Sequence, residues 1–327
     1  MHSGRWPIEF DDVLEARQRI RPYLPPTPLR NYAALDRTIG NEIRVWVKHE
    51  NHNPTNSFKA RNAMSALAAL PPEARSRGVV GATRGNWGQG LAWAGGLLGV
   101  PVTVCVPIGN NPEKNVAMVG FGAELVEEGR DYDESVGVAE RLVRERGLTM
   151  VQAVNDPLVI AGAATLTLEI LEARPQIEAI VVAVGGGSQA VGALTVVREI
   201  APHVRVYGVQ AERAAAIHDS WHAGRVVTRD SADTFADGLA TRQPYALTFP
   251  ALREGLSGFV TASESEIAEA LRLLLSTTHN LAEGAGAAGL AGLTRLSKDL
   301  AGREVGVILS GGNIDAETLG RVVARAL

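Results

Sequence analysis

Ser57, Phe58, Lys59, Ala60 and Arg61 set a single lysine beside an aromatic ring, at the head of the alanine-rich stretch 60–67. Thr55, Asn56 and Ser57 are residue types that cap helices, so a helix is expected to begin here. A lysine at a helix N-terminus feels the positive end of the dipole, which disfavours its ammonium form. Burial acts in the same direction. The neutral amine that results can condense with an aldehyde to form a Schiff base. Taken alone, these five residues fit an exposed lysine on an ordinary helix better than a catalyst. Three further motifs reverse that balance.

The first is the apolar run 181–184, which passes directly into Gly185, Gly186, Gly187, Ser188 and Gln189 and then into a helical pattern. Glycines let backbone N–H groups converge on an anion, and the helix dipole adds to them, so a phosphate fits there. Two other readings compete. A dinucleotide fingerprint can be laid on Gly185, Gly187 and Ala190, but no acidic residue closes the next strand at 204–210. A tight turn without ligand is the other. The second motif is Thr83, Arg84, Gly85, Asn86 and Trp87, a polar strand-to-helix turn with amides suited to a carboxylate, although a plain N-cap accounts for Thr83 and Asn86 almost as well. The third is Ser310 with Gly311, Gly312 and Asn313 at the end of the apolar run 307–309, where an ordinary turn is the alternative. Open α/β sheets bind ligands at the carboxyl ends of their strands. Four polar strand ends together are therefore more specific than any one of them.

The elements that must position these residues are short β-branched runs alternating with helical stretches. Strands are expected at 43–48, 78–82, 102–106, 124–126, 180–184, 204–210 and 305–309, and helices at 86–98, 113–121 and 132–146. Uniformly apolar strands between amphipathic helices indicate α/β architecture with parallel sheets covered on both faces. A chain of 327 residues is long enough for two domains. The pattern predicts a small domain at 66–151 inserted in a larger one formed by 1–65 and 152–327, with Lys59 near the junction and the ligand in the cleft between them.

Bulk properties exclude several classes. A net charge of −4 with scattered basic residues gives no footprint for nucleic acid. The one cysteine, Cys105, lies in an apolar run and reads as a buried structural thiol. Residues 1–9 hold no apolar signal core. The uncharged span 85–112 is interrupted by Gly95, Gly96, Gly99, Pro101 and Pro107, so it reads as helix, turn and strand rather than a membrane segment. A cytoplasmic protein is expected.

Together these motifs resemble the fold-type II pyridoxal-phosphate enzymes, whose fold is tryptophan synthase β-like, and within them the threonine/serine dehydratase and serine racemase group. The resemblance runs from Thr27, Pro28 and Leu29 through Lys48, His49, Glu50 and Asn51 to the Lys59 motif. It continues through 235–240 and 283–287 to Ser310 and Asn313. It does not extend to the regulatory C-terminal domain of biosynthetic threonine dehydratases. It implies pyridoxal 5'-phosphate as cofactor, with Lys59 as the lysine that carries it and as the catalytic base. Phe58 would pack on the cofactor ring, and Asn86 would bond its hydroxyl. Gly185, Gly186, Gly187, Ser188 and Gln189 would hold its phosphate, and Ser310 would face the ring nitrogen. The implied partners are a small amino-acid substrate and a second copy of the chain in a homodimer. The implied reaction is α,β-elimination from a small β-hydroxy amino acid, giving a 2-oxo acid and ammonia. Other readings are a β-replacement synthase or racemase of the same fold, a non-catalytic cofactor- or amino-acid-binding homologue and, more distantly, a dehydrogenase.

The chain also departs from the family pattern. Ser188 stands where a fourth glycine is usual. Thr83, Arg84, Asn86 and Trp87 form the expected substrate turn, but Arg84 occupies the place of the racemase serine. A guanidinium stays charged and is a poor proton donor, so racemisation is disfavoured. Arg84 could instead bind a second anionic group, as in 3-hydroxyaspartate. Trp87 replaces a histidine and makes the pocket bulkier. Gln210 and Ala216 lack the carboxylates of the family's divalent-cation site, so no metal is expected there.

Overall fold

The computed structural model describes residues 6–327; Met1 to Arg5, which begin the expected leaderless N-terminus, lie outside the described residues. The chain forms two sheets. One has six strands in the order β1-β2-β10-β7-β8-β9, and the other has four in the order β5-β4-β3-β6. The ranges are β1 Leu29–Asn31, β2 Arg44–His49, β3 Val79–Ala82, β4 Val102–Val106, β5 Glu124–Glu127, β6 Thr149–Met150, β7 Ala179–Ala183, β8 Arg205–Ala211, β9 Gly258–Ala262 and β10 Glu304–Leu309.

All pairings are parallel except that of β1 with β2. The expected parallel sheets are therefore present, with one antiparallel edge strand added. Leu29 is partly buried and Arg30 and Asn31 are exposed, as an edge strand allows. Where helices cover both faces the strands are sealed from water: every residue of β4 and β7 is buried. Helices Asn86–Leu98 and Tyr132–Arg146 begin and end where periodicity places them, each stopped by a left-handed glycine, Gly99 and Gly147. Cys105 is fully buried in the core of the four-stranded sheet.

The Lys59 helix, Lys59–Ala68, starts differently from expectation. Its N-cap is Phe58 in helical conformation, with no side-chain cap. Thr55, Asn56 and Ser57 do not cap it. Asn56 is in the left-handed region at φ 51°, and Ser57 bridges to Gly311. The turn is held by the Phe58 N–H, which donates to the Ser310 carbonyl at 3.0 Å. A contact with a strand end distant in sequence therefore takes the place of local caps.

Candidate active site

The carboxyl ends of β2, β3, β7 and β10 deliver their loops to one cleft of about 990 Å³. Lys59, Arg84, Asn86, Gly185 and Ser310 all line it, so the four motifs meet in space. Lys59 projects from the first turn of its helix, with Nζ 4.7 Å from the Phe58 ring centre. It makes no hydrogen bond or ion pair with any described residue. Desolvation lowers its pKa to about 8, against the pull of Glu283. Phe58 is half-buried against the core that holds the β7 strand.

The loop after β7 is built for close approach. A Cβ on Gly185 would lie 2.0 Å from the Gly238 carbonyl oxygen, and one on Gly186 would lie 2.3 Å from Val154. Gly187 adopts φ 95°, which glycine alone takes readily. Thr248 Oγ1 donates to the Gly186 carbonyl at 2.7 Å and steadies the turn. The amides of Gly185, Gly186, Gly187 and Ser188 meet no acceptor among the described residues, and the helix Ser188–Ile200 starts directly behind them. Ser188 and Gln189 are buried, and Gln189 Nε2 has no partner. Free amides, an orphaned donor and a helix N-terminus make a cradle for a dianion. The Ser310 hydroxyl also lines the cleft, without a partner among the described residues. These groups fit a ligand with an aldehyde near Lys59, a phosphate at the glycines and a ring acceptor at Ser310.

The turn after β3 divides its work. The Thr83 hydroxyl accepts from the amides of Gly85 at 3.0 Å and Gly88 at 3.3 Å, so its lone pairs serve the turn. Asn86 donates from Nδ2 to Glu283 at 2.6 Å and accepts at Oδ1 from Asn313 Nδ2 at 2.7 Å. Its amide is thereby held between two residues of other loops. Trp87 touches the cleft but sits mostly in the core of the four-stranded sheet, with its indole N–H unpartnered. Arg84 is exposed and lines the cleft. The cleft's other arginines are paired, Arg229 with Asp219 and Arg242 with Asp133, whereas Arg84 has no ion-pair or hydrogen-bond partner among the described residues.

Three charged residues of the cleft carried no assigned role at the level of sequence. Burial pushes the Glu283 carboxyl up to about 7, with Lys114 opposing it. Lys114 Nζ donates to Asp237 at 2.6 Å. Burial opposes its charge, but Asp237 and Glu283 outweigh that and hold the ammonium form. Glu283 stands in the quoted motif 283–287, yet only the fold brings it beside Asn86 and Lys59. The side-chain carbonyl oxygen of Gln210 accepts from the amides of Ile217 and His218 at 3.1 and 2.9 Å. The position read as a lost cation ligand therefore caps a helix.

A family model for pyridoxal-phosphate dependent enzymes matches residues 20–311. The chain belongs to that family. L-threonine ammonia-lyase of Geobacter sulfurreducens is 40% identical over 321 residues, which span 98% of this chain and 79% of that protein. L-threo-3-hydroxyaspartate ammonia-lyase of Saccharomyces cerevisiae is 31% identical over 315 residues, 96% of each chain. The crystal structure of a threonine deaminase from T.th. matches with a TM-score of 0.89 at 35% identity, over 94% of this chain and 99% of that one. The fold is thus that of the fold-type II enzymes, and the cofactor is pyridoxal phosphate. The cleft's free lysine, glycine cradle and unpartnered serine fit it.

A pH dependence follows from the amine. Capture of pyridoxal phosphate by cofactor-free protein is expected to accelerate as pH rises through about 8, because the reactive neutral amine forms as the proton leaves. Stopped-flow absorbance across roughly pH 6 to 10 checks this. A midpoint near the ordinary lysine value would show that the cleft does not desolvate Lys59.

Proposed function

We propose that this protein is an ammonia-lyase of the threonine/serine dehydratase type, removing the β-hydroxyl and amino groups of a small β-hydroxy amino acid to give a 2-oxo acid and ammonia. The observation that carries this reading is the unpaired Lys59 amine facing a cleft whose glycine cradle and Ser310 lie at the ends of β7 and β10. When bound, pyridoxal phosphate supplies the electron sink for the bonding pair left at Cα. The residues divide the remaining work. Lys59 would hold the cofactor and would also be the base that takes the Cα proton; a pKa near 8 suits a base that works close to neutral pH. The amides of 185–188 orient the phosphate. Ser310 offers a hydroxyl rather than a carboxylate to the ring nitrogen, so it does not enforce protonation there. That favours rapid loss of a β-leaving group over a long-lived carbanion. In the 83–86 turn the amides of Thr83 and Gly85 are taken by the Cys105 carbonyl and the Thr83 hydroxyl, so those of Arg84 and Asn86 are the ones offered to the substrate carboxylate. Asn86, pinned by Glu283 and Asn313, holds a fixed edge against the ring.

Arg84 offers no transferable proton at the place of the racemase serine, which disfavours the racemase reading. The free guanidinium supports a substrate with a second carboxylate, such as 3-hydroxyaspartate. Arg84→Ser should lower kcat/KM for L-threo-3-hydroxyaspartate by roughly ten- to a hundredfold, the size of one charge-assisted hydrogen bond. Turnover of threonine should change little. Parallel ammonia-release assays on both substrates decide it, and an unchanged ratio between them would remove Arg84 from substrate recognition. The reading also includes a large unit of 1–65 and 152–327 with 66–151 inserted, a homodimer and a cytoplasmic setting. Light scattering on the purified protein tests the dimer.

A further inference from the structure

The one charged neighbour of Lys59 in its motif has no part in the proposed reaction. Arg61, two positions beyond Lys59, is fully buried and points away from the cleft into a network of charges. Its Nε donates to Glu50 at 2.7 Å, and Nη2 reaches the other Glu50 oxygen at 3.0 Å. Nη1 and Nη2 also donate to the two oxygens of Glu169, at 2.6 and 2.8 Å. Thr165 and Thr27 complete the set at 3.2 and 3.3 Å. Lys48 Nζ donates to Glu169 at 2.5 Å and to the Thr27 carbonyl at 2.8 Å. Two cations and two carboxylates make a neutral group, and every guanidinium donor direction is used.

The network joins the end of β2, the segment before β1 and the helix Pro157–Ala173 to the first turn of the Lys59 helix. Two residues along an α-helix rotate the side-chain direction by about 200°. Arg61 and Lys59 therefore leave the helix on opposite sides. The helix is also gripped along its length by close backbone contacts. A Cβ on Gly90 would lie 2.7 Å from the Lys59 carbonyl oxygen, and one on Gly162 would lie 2.7 Å from that of Arg61. Those contacts set the distances to the neighbouring helices. No side chain caps the N-terminus; the Phe58 N–H on the Ser310 carbonyl ties its backbone, and the Arg61 fork is the side-chain anchor that acts with it against rotation about the axis. A planar fork bound bidentately to two carboxylates resists rotation in a way that a point charge does not.

We propose that Arg61 is a positioning residue: its fork on Glu50 and Glu169 sets the rotation of the Lys59 helix and so aims the Lys59 amine into the cleft. This rests on the reading of Lys59 as the cofactor lysine. Burying such a group is a poor source of stability, because desolvation offsets the attraction, so its presence here fits a role in specifying geometry.

The test compares Arg61→Lys, which keeps the charge and loses the fork, with Lys59→Ala and the parent protein. Cofactor-free protein is mixed with pyridoxal phosphate, and the capture rate is followed by absorbance across pH, alongside thermal melting of the same samples. Arg61→Lys should slow capture on the order of a hundredfold, the effect of misaiming a reacting atom by about 1 Å, and should move the pH midpoint. Glu169→Gln, which keeps the shape and removes one charge from the fork, should act in the same direction and serves if Arg61→Lys does not fold. A lower melting temperature with unchanged capture rate and midpoint would overturn the proposal and leave Arg61 a structural residue. Capture at the parent rate by Lys59→Ala would instead overturn the reading of Lys59.

Discussion

Replacing Lys59 by alanine is expected to abolish the Schiff-base absorbance band of the loaded protein and to lower kcat on the order of 10⁴-fold or more. Two functions are lost at once. The amine holds the cofactor, and the same amine is the base for the Cα proton. No other described residue is placed to substitute. Lys114 also lines the cleft, but Asp237 and Glu283 keep it an ammonium ion. Glu283 is carboxylic in character near neutral pH, but its Oε1 is occupied by Asn86. Adding a small primary amine such as methylamine should restore part of the proton transfer and none of the tethering. Full ammonia release by Lys59→Ala with serine or threonine would mean that the catalytic assignment is wrong.

The second large effect is expected at Gly185. Alanine there would put a Cβ 2.0 Å from the Gly238 carbonyl oxygen, a distance that backbone atoms must move to relieve. Gly238 belongs to the short turn Asp237–Leu239, whose Asp237 is paired with Lys114. The strain therefore reaches both the phosphate cradle and a charged wall of the cleft. Overpacking of this kind costs about 1–3 kcal/mol. Pyridoxal-phosphate affinity should fall by roughly ten- to a hundredfold, measured by fluorescence titration of cofactor-free protein. Gly137→Ala is the matched control, since nothing lies within 4 Å of its added Cβ. It should leave affinity unchanged. Equal affinities in the two variants would show that the glycine loop does not hold the phosphate.

Much of the sheet scaffold was legible because each inner strand is a short apolar run flanked by helical periodicity. The β4 range 102–106 and the helices Asn86–Leu98 and Tyr132–Arg146 agree residue for residue. Elements without that signature went unassigned. β6 has only two residues, and β9 begins with glycine and is only partly buried. The helices Pro157–Ala173 and Gly284–Leu296 are apolar on nearly every side, so they show no polar face for periodicity to reveal.

The site divides along a similar line. Lysine, glycine loop, polar turn and terminal serine are each local patterns, set by what a single strand end can present. The amino-acid sequence by itself determined these four and the class of cofactor they suit. Only the tertiary structure decided which residues surround them. Glu283 faces Asn86 across 197 positions, and the Phe58 amide rests on Ser310. Arg61 is joined to Glu169 across 108 positions. Hydrogen-bond partners and desolvation depend on three-dimensional neighbours, and no local pattern encodes them. For that reason the identity of the reactive lysine and the direction of its pKa shift were readable from the chain, whereas the opposing pull of Glu283, the residues that aim it and the isolation of Arg84 became visible only in the fold.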